Sequence, residues 1–238
     1  MGYQPYVPGG QQAGQVDIGQ AFSWTFRKIG QYPVPLLVLA LPLVVLGVAQ
    51  YFVNRAILDA FDDCTTTVFN TESCTRSFGK TIAAAVIVAL VFGILHYIVQ
   101  IGIYRAALKT TRGEAPDISH LMSGENVGPY ILTTIATGFC VVVGLALCFI
   151  PGLIAAFFLS FAPMASLDSG MSVGEAFSRS ADIAKRNVLP MIILVIVVAV
   201  ASFIGGLVFG VLWIITMPIQ ALLLAYVYRS GSGELVAP

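Results

Sequence analysis

His96 and Gln100 stand one helical turn apart within an otherwise apolar run, and Gln220 lies two residues after Pro218 in another. A titratable imidazole beside a carboxamide at membrane depth is costly to leave unpartnered. Such a pair is therefore a candidate for lining a water path, relaying a proton or holding a polar headgroup. The same residue types also act as glue between helices, and a neutral His96 hydrogen-bonded to a neighbour is the favoured reading. Gln220 is a candidate partner from a different part of the chain, with the same structural alternative.

Cys64 and Cys74 have nine residues between them, inside the segment Asn54 to Lys80. If that segment is exported, a disulfide closing this small loop is the expected state. A metal site is disfavoured, because no His accompanies the pair and the spacing does not suit a zinc knuckle. Cys140 and Cys148 fall in an apolar run, where free Cys behaves as a small hydrophobe. Asp59, Asp62 and Asp63 beside Cys64 read as a solvated acidic loop, without calcium-loop spacing. The chain has no Walker loop, dinucleotide glycine pattern, His-Glu-x-x-His or nucleophile elbow. The expectation is a protein that is not an enzyme, with no cofactor and no metal.

The elements that must position these residues follow from composition. Of 238 residues, 58% are hydrophobic and 10% charged, with a mean hydropathy of +0.89. A soluble domain carries roughly 25% charged residues, so a water-soluble globule is excluded. Twelve basic and twelve acidic residues leave no net charge, hence no field to attract nucleic acid. Val34 to Val53 and Thr81 to Tyr104 each meet the ~20 residues that cross a bilayer as helix. Tyr130 to Leu167 and Val188 to Tyr228 are uncharged and long enough for two crossings each. Turns are expected at Pro151-Gly152 and in the cluster Gly205, Gly206, Gly210. Gly206 and Gly210 also match a small-xxx-small packing motif, with the turn favoured. The predicted architecture is all-α: a polytopic transmembrane bundle of six spans in three two-span hairpins.

With the N-terminus inside, the cytoplasmic segments hold Arg27, Lys28, Arg105, Lys109, Arg112, Arg179, Lys185, Arg186 and Arg229. The outside keeps only Arg55, Arg76 and Lys80, which places both termini in the cytoplasm. The first apolar run begins too late and runs too long for a signal core, and reads as an uncleaved anchor.

Asp17-Ile-Gly-Gln-Ala-Phe-Ser23 and Ser172-Val-Gly-Glu-Ala-Phe-Ser178 align without a gap at a displacement of 155 residues, which also superposes Pro35 on Pro190. A weaker echo, Asp117-Ile-Ser-His-Leu-Met-Ser123, precedes the third span. Asp17 and Ser172 can cap a helix, with Gln20 and Glu175 three residues on in capping-box position. Ile18, Phe22, Thr25, Phe26 and Ile29 form an apolar stripe in the first segment; Val173, Phe177, Ala181 and Ala184 form one in the second. Arg27, Lys28, Lys185 and Arg186 gather near their C-terminal ends. Helices of this kind suit a cytoplasmic interface or, equally, a seat against the bundle. The expectation is internal parallel repeats, each a cytoplasmic interfacial helix followed by a hairpin. Residues 1–16 read as a disordered tail, 17–229 as the membrane domain with outer loop 54–80, and 230–238 as a short cytoplasmic tail.

Tyr104-Arg-Ala-Ala-Leu-Lys109, Arg112-Gly-Glu-Ala-Pro-Asp117, Val173-Gly-Glu-Ala-Phe-Ser178 and Ala225-Tyr-Val-Tyr-Arg229 are loop and helix-end patterns. In these, residues 17–229 resemble a broad, uncharacterised bacterial family of six-span membrane proteins related to the membrane domain of glycerophosphodiester phosphodiesterases. The resemblance implies the fold and a bacterial cytoplasmic membrane, and carries no chemistry, since no phosphodiesterase domain follows. The expected role is an accessory, scaffold or regulatory subunit; the alternative is a transporter or permease for a small or lipid-like solute. The expected partners are the lipid bilayer and a membrane protein, either another chain or a second copy, and no nucleic acid.

Overall fold

The structure, a computed structural model, describes residues 14–66, 71–207 and 212–238; the side chains at 60–66, 71–78, 121–122, 204, 206–207 and 213 fall outside that description. Every regular element among the described residues is helical: α1 (Ile18–Gln31), α2 (Pro33–Thr66), α3 (Thr71–Thr111), α4 (Ser119–Met122), α5 (Val127–Leu147), α6 (Phe149–Phe158), α7 (Ala162–Ser169), α8 (Val173–Arg186), α9 (Val188–Leu207) and α10 (Trp213–Gly231). Among the described residues, four stretches are long and apolar enough to cross a membrane: Pro33–Asp59, Gly79–Thr111, Val127–Leu147 and Phe149–Ser169. A fifth is added if α8 and α9, bent by 104° at their junction, count as one. The expected six spans therefore exceed what the described helices establish; residues 208–211, between α9 and α10, lie outside the described residues.

The expected outer loop is largely helical instead. α2 has 34 residues and α3 has 41, which is about 51 and 62 Å of helix against a hydrocarbon core of about 30 Å. Helical hydrogen bonding simply continues once the apolar stretch ends, through Thr66 and again from Thr71. Cys64 and Cys74 sit on these extensions with side chains outside the described residues, so their expected disulfide does too; no disulfide is found among the described residues, where Cys140 and Cys148 are free.

The α5–α6 turn also differs from expectation. It falls at Cys148, in extended conformation (φ −167°, ψ 142°), and Pro151-Gly152 lies inside the first turn of α6. Two glycines make so tight a reversal possible: a Cβ on Gly144 would stand 2.8 Å from the Cα of Gly152. The hairpin closes by backbone-to-backbone contact, which only glycine allows.

α1 and α8 have 14 residues each, and their first and last residues keep the 155-residue displacement seen in the sequence. Each ends at one non-helical residue of nearly the same conformation, Tyr32 (φ −127°, ψ 50°) and Asn187 (φ −130°, ψ 44°), before a long apolar helix begins. Ala21 and Ala176 correspond and are both fully buried, as are Thr25 and Ser180. The third expected amphipathic helix is the four-residue α4 only. Arg105 draws the carbonyls of His120, Ser123 and Glu125 onto its guanidinium, and turned towards it they are lost to a longer helix.

The buried core lies at one end of the bundle, called basal here, where α1, α8, the last turns of α3 and α10 and residues 232–238 converge. Away from this end the helices present exposed apolar side chains such as Leu90, Phe139, Ile196 and Phe203. Replacing Gly144 by Ala should open the α5–α6 hairpin and cost about 1–3 kcal/mol, the usual range for overpacking. Gly138→Ala, where nothing stands within 4 Å of an added Cβ, should be near neutral. Thermal unfolding of the two variants in detergent checks the contrast.

Candidate functional site

The three polar residues expected to meet at membrane depth do not meet. His96 Nδ1 lies 2.9 Å from the Phe92 carbonyl of its own helix. Gln100 Nε2 donates to Tyr104 Oη at 3.2 Å, again within α3. Gln220 Oε1 accepts from Ser202 Oγ at 3.4 Å, joining α10 to α9. Thr133 and Ser166 share a buried hydrogen bond of 2.7 Å between α5 and α7. Each of these five side chains has a local partner, which lowers the cost of a polar group in hydrocarbon.

The charged groups converge at the basal end instead. Asp168 on α7 has a side chain only 3% exposed and accepts from Arg112 Nη2 at 2.7 Å, just beyond α3. Its other oxygen lies 3.8 Å from Arg229 Nη1 on α10. Arg229 Nη2 pairs with Glu234 at 2.9 Å, and Glu234 meets Arg179 of α8 at 3.4 Å. One buried carboxylate and its neighbours thus tie α3, α7, α8, α10 and the segment 232–238 together. In the sequence these arginines stand only as topology markers, and Asp168 has no assigned role. Its one visible signal was an acid directly after a long uncharged run.

The residues of the expected interfacial helices divide between two tasks. Ala21, Trp24, Thr25 and Lys28 form the buried face of α1; Ala176, Ser180, Ile183 and Ala184 form that of α8. Phe22 and Phe177 are half-buried at the edge, while Arg27, Lys185 and Arg186 are exposed. Lys28, expected at the interface, is instead 5% exposed. Its Nζ lies 5.7 Å from the Trp24 ring centroid and donates to the Pro238 main-chain oxygen. Burial, and then the charge of Arg27, hold its ammonium below the ordinary lysine range. Trp24 Nε1 donates to the Ala237 carbonyl at 2.7 Å, and Ala237 N–H to Thr111 O at 2.8 Å. On α8 the equivalent service comes from Asn187: its Oδ1 accepts from Val16 N–H at 2.8 Å and its Nδ2 donates to Gly14 O at 2.9 Å. Both helices therefore clamp a non-helical segment of the chain against the base.

The caps follow the local sequence. Asp17 Oδ1 accepts from Gln20 N–H at 3.1 Å, and the Glu175 carboxylate accepts from the Ser172 N–H at 2.9 Å and hydroxyl at 2.7 Å. Those two bonds hold the Glu175 carboxyl below the usual carboxylate range.

Long apolar helices gathered on an ion-paired base define a helical protein with several elements built to cross a membrane. Within that class, the chain belongs to the family described as a domain of unknown function, DUF7847, which matches residues 29–234. It is similar to uncharacterised proteins of Mycobacterium bovis and of two Mycobacterium tuberculosis strains. Each is 26% identical over 240 residues, covering 98% of this chain and 74% of the relative. No solved structure matches. None of these similarities reaches the membrane domain of glycerophosphodiester phosphodiesterases, so that kinship rests on the loop patterns alone.

Removing one member of a buried ion pair strands the others, at a cost of about 3–5 kcal/mol. Asp168→Asn should therefore lower the melting temperature in detergent clearly more than Arg112→Gln, whose side chain is 39% exposed. The Glu175 cap adds a pH dependence. Its carboxyl titrates lower folded than unfolded, so its contribution is complete above the unfolded value of about 4.3 and lost as pH falls through the folded one. Protection of the amides at residues 173–177, taken relative to the intrinsic exchange rate at each pH, should fall on acidification, and Glu175→Gln should flatten that fall.

Proposed function

We propose that this is a non-catalytic six-span protein of the bacterial cytoplasmic membrane, acting as an accessory, scaffold or regulatory subunit of a membrane assembly. The observation that carries this reading is that His96, Gln100 and Gln220, the polar residues placed at membrane depth, each bond locally and not to one another. His96 is bonded within α3, Gln100 to Tyr104 and Gln220 to Ser202, so none of these bonds assembles a shared path. On this reading the spans are α2, α3, α5, α6 with α7, α9 and α10. The basal end faces the cytoplasm, because Arg27, Lys28, Arg105, Lys109, Arg112, Arg179, Lys185, Arg186 and Arg229 lie on the elements that meet there. The exposed apolar faces of α5 and α9 are the surfaces that lipid or a partner covers.

The second reading is a transporter for a small or lipid-like solute. It is favoured by the matched units α1–α2 and α8–α9, with their common displacement and near-identical junctions at Tyr32 and Asn187. Parallel internal repeats of this kind recur in transporters.

Purification of a tagged copy from native membranes in mild detergent, followed by mass spectrometry, separates the two. The subunit reading expects a companion at fixed stoichiometry. A monodisperse particle without companions, together with a solute flux in liposomes that His96→Ala abolishes at unchanged melting temperature, would replace it with the transporter.

A further inference from the structure

A cleft of about 700 Å³ runs between α3 and α5, and its character changes sharply along its length. Leu90, Gly93, Ile94, Ile98 and Ile101 of α3 and Ile131 of α5 give it apolar walls. At the basal mouth the lining includes Arg105 and Ser123. From Ala89 to Arg105 the wall is about 24 Å of helix, more than the ~15 Å hydrocarbon depth of one leaflet. Tyr97 bridges the two helices across the cleft, its ring centroid 5.7 Å from that of Tyr130.

Two observations at the mouth concern charge and hydrogen bonding. Arg105 is only 5% exposed, and the acceptors on its guanidinium are the carbonyls of His120, Ser123 and Glu125. Carbonyls satisfy donors but do not neutralise charge; no ion pair within 4 Å among the described residues includes Arg105, and the exposed Glu125 carboxylate offsets its charge only from a distance. Ser123 Oγ, in the same lining, is buried with no hydrogen-bond partner, an unusual and costly state for a hydroxyl. A buried cation and an idle hydroxyl at one end of an apolar slot call for an anionic group carrying a hydrocarbon tail.

We infer that the α3–α5 cleft binds an anionic phospholipid, with an acyl chain along the Leu90–Ile101 wall and the phosphate at the mouth beside Arg105 and Ser123. The phosphate oxygens accept from the Ser123 hydroxyl and balance the Arg105 charge. The cleft lining itself holds no acidic residue, and Glu125, the acid nearest Arg105, is exposed outside that lining, so the mouth favours phosphatidylglycerol over a zwitterionic lipid. Such a site stands whether the protein is a subunit or a transporter.

Gly93 supplies the decisive variant. Nothing lies within 4 Å of where its Cβ would stand, so a side chain can start there, and Gly93→Phe places a ring at the lining of the slot. The test is native mass spectrometry of the delipidated full chain in detergent, titrated with phosphatidylglycerol or with phosphatidylcholine, with melting temperature measured alongside. The expected result is a bound phosphatidylglycerol that survives mild activation, at least tenfold weaker binding in Gly93→Phe, and an unchanged lipid-free melting temperature. Arg105→Gln should weaken phosphatidylglycerol binding and leave phosphatidylcholine unaffected; because Arg105 also holds the 118–126 segment, this variant is read only if it melts as the parent does. Equal retention of both lipids, or no effect of Gly93→Phe, would show only the lipid shell that any membrane protein carries and would overturn the proposal. So would a photo-crosslinker at Ile94 in native membranes that captures a polypeptide and no lipid.

Discussion

In hydrocarbon an apolar side chain gains little by leaving lipid for a neighbouring helix, so what holds this bundle together has to come largely from polar contacts and close backbone packing. The Asp168 carboxylate is where the polar contacts converge. Buried against Arg112 and Arg229, it joins helices that are distant in sequence, and Arg229 extends the connection through Glu234 to Arg179. An ion pair so deeply placed is costly to desolvate and adds little net stability compared with a well-packed apolar alternative. Its value is geometric, since every other placement of these helix ends would leave a buried charge unpaired. The Gly144–Gly152 contact serves close packing in the same spirit, by letting two backbones touch.

The placement of the core follows from that constraint. At the charged basal end α1 and α8 bury Trp24 and Ile183 in a close-packed core of the kind the hydrophobic effect builds in water. Deeper in the bundle the exposed apolar residues need no protein partner, and the helices can stand apart. The α3–α5 cleft is one consequence: apolar along the Leu90–Ile101 wall, with Arg105 at its mouth held by the loop it organises.

α1 and α8 show how one local pattern is put to two uses. Their lengths, caps and C-terminal junctions agree closely, yet α1 secures residues 237 and 238 through Trp24 and Lys28, whereas at the end of α8 Asn187 secures residues 14 and 16. Tyr32 and Asn187 occupy the same conformation, but only Asn187 has the carboxamide that can accept and donate at once.

The sequence by itself determined what is local and periodic: the apolar runs that became long helices, the caps at Asp17 and at Ser172–Glu175, and the displacement of 155 residues that α1 and α8 preserve. Capping and amphipathicity depend on neighbours three or four residues away, so a linear reading reaches them. Tertiary structure alone decided the rest. The Arg112–Asp168 pair spans 56 residues, the Lys28 bond to Pro238 spans 210, and nothing in a charge count distinguishes a buried arginine from one marking topology. The reversal at Cys148 instead of Pro151-Gly152, and the shortening of α4, have the same origin. Each depends on what stands opposite in space, a second glycine backbone in one case and a guanidinium in the other, and such a partner carries no local signature.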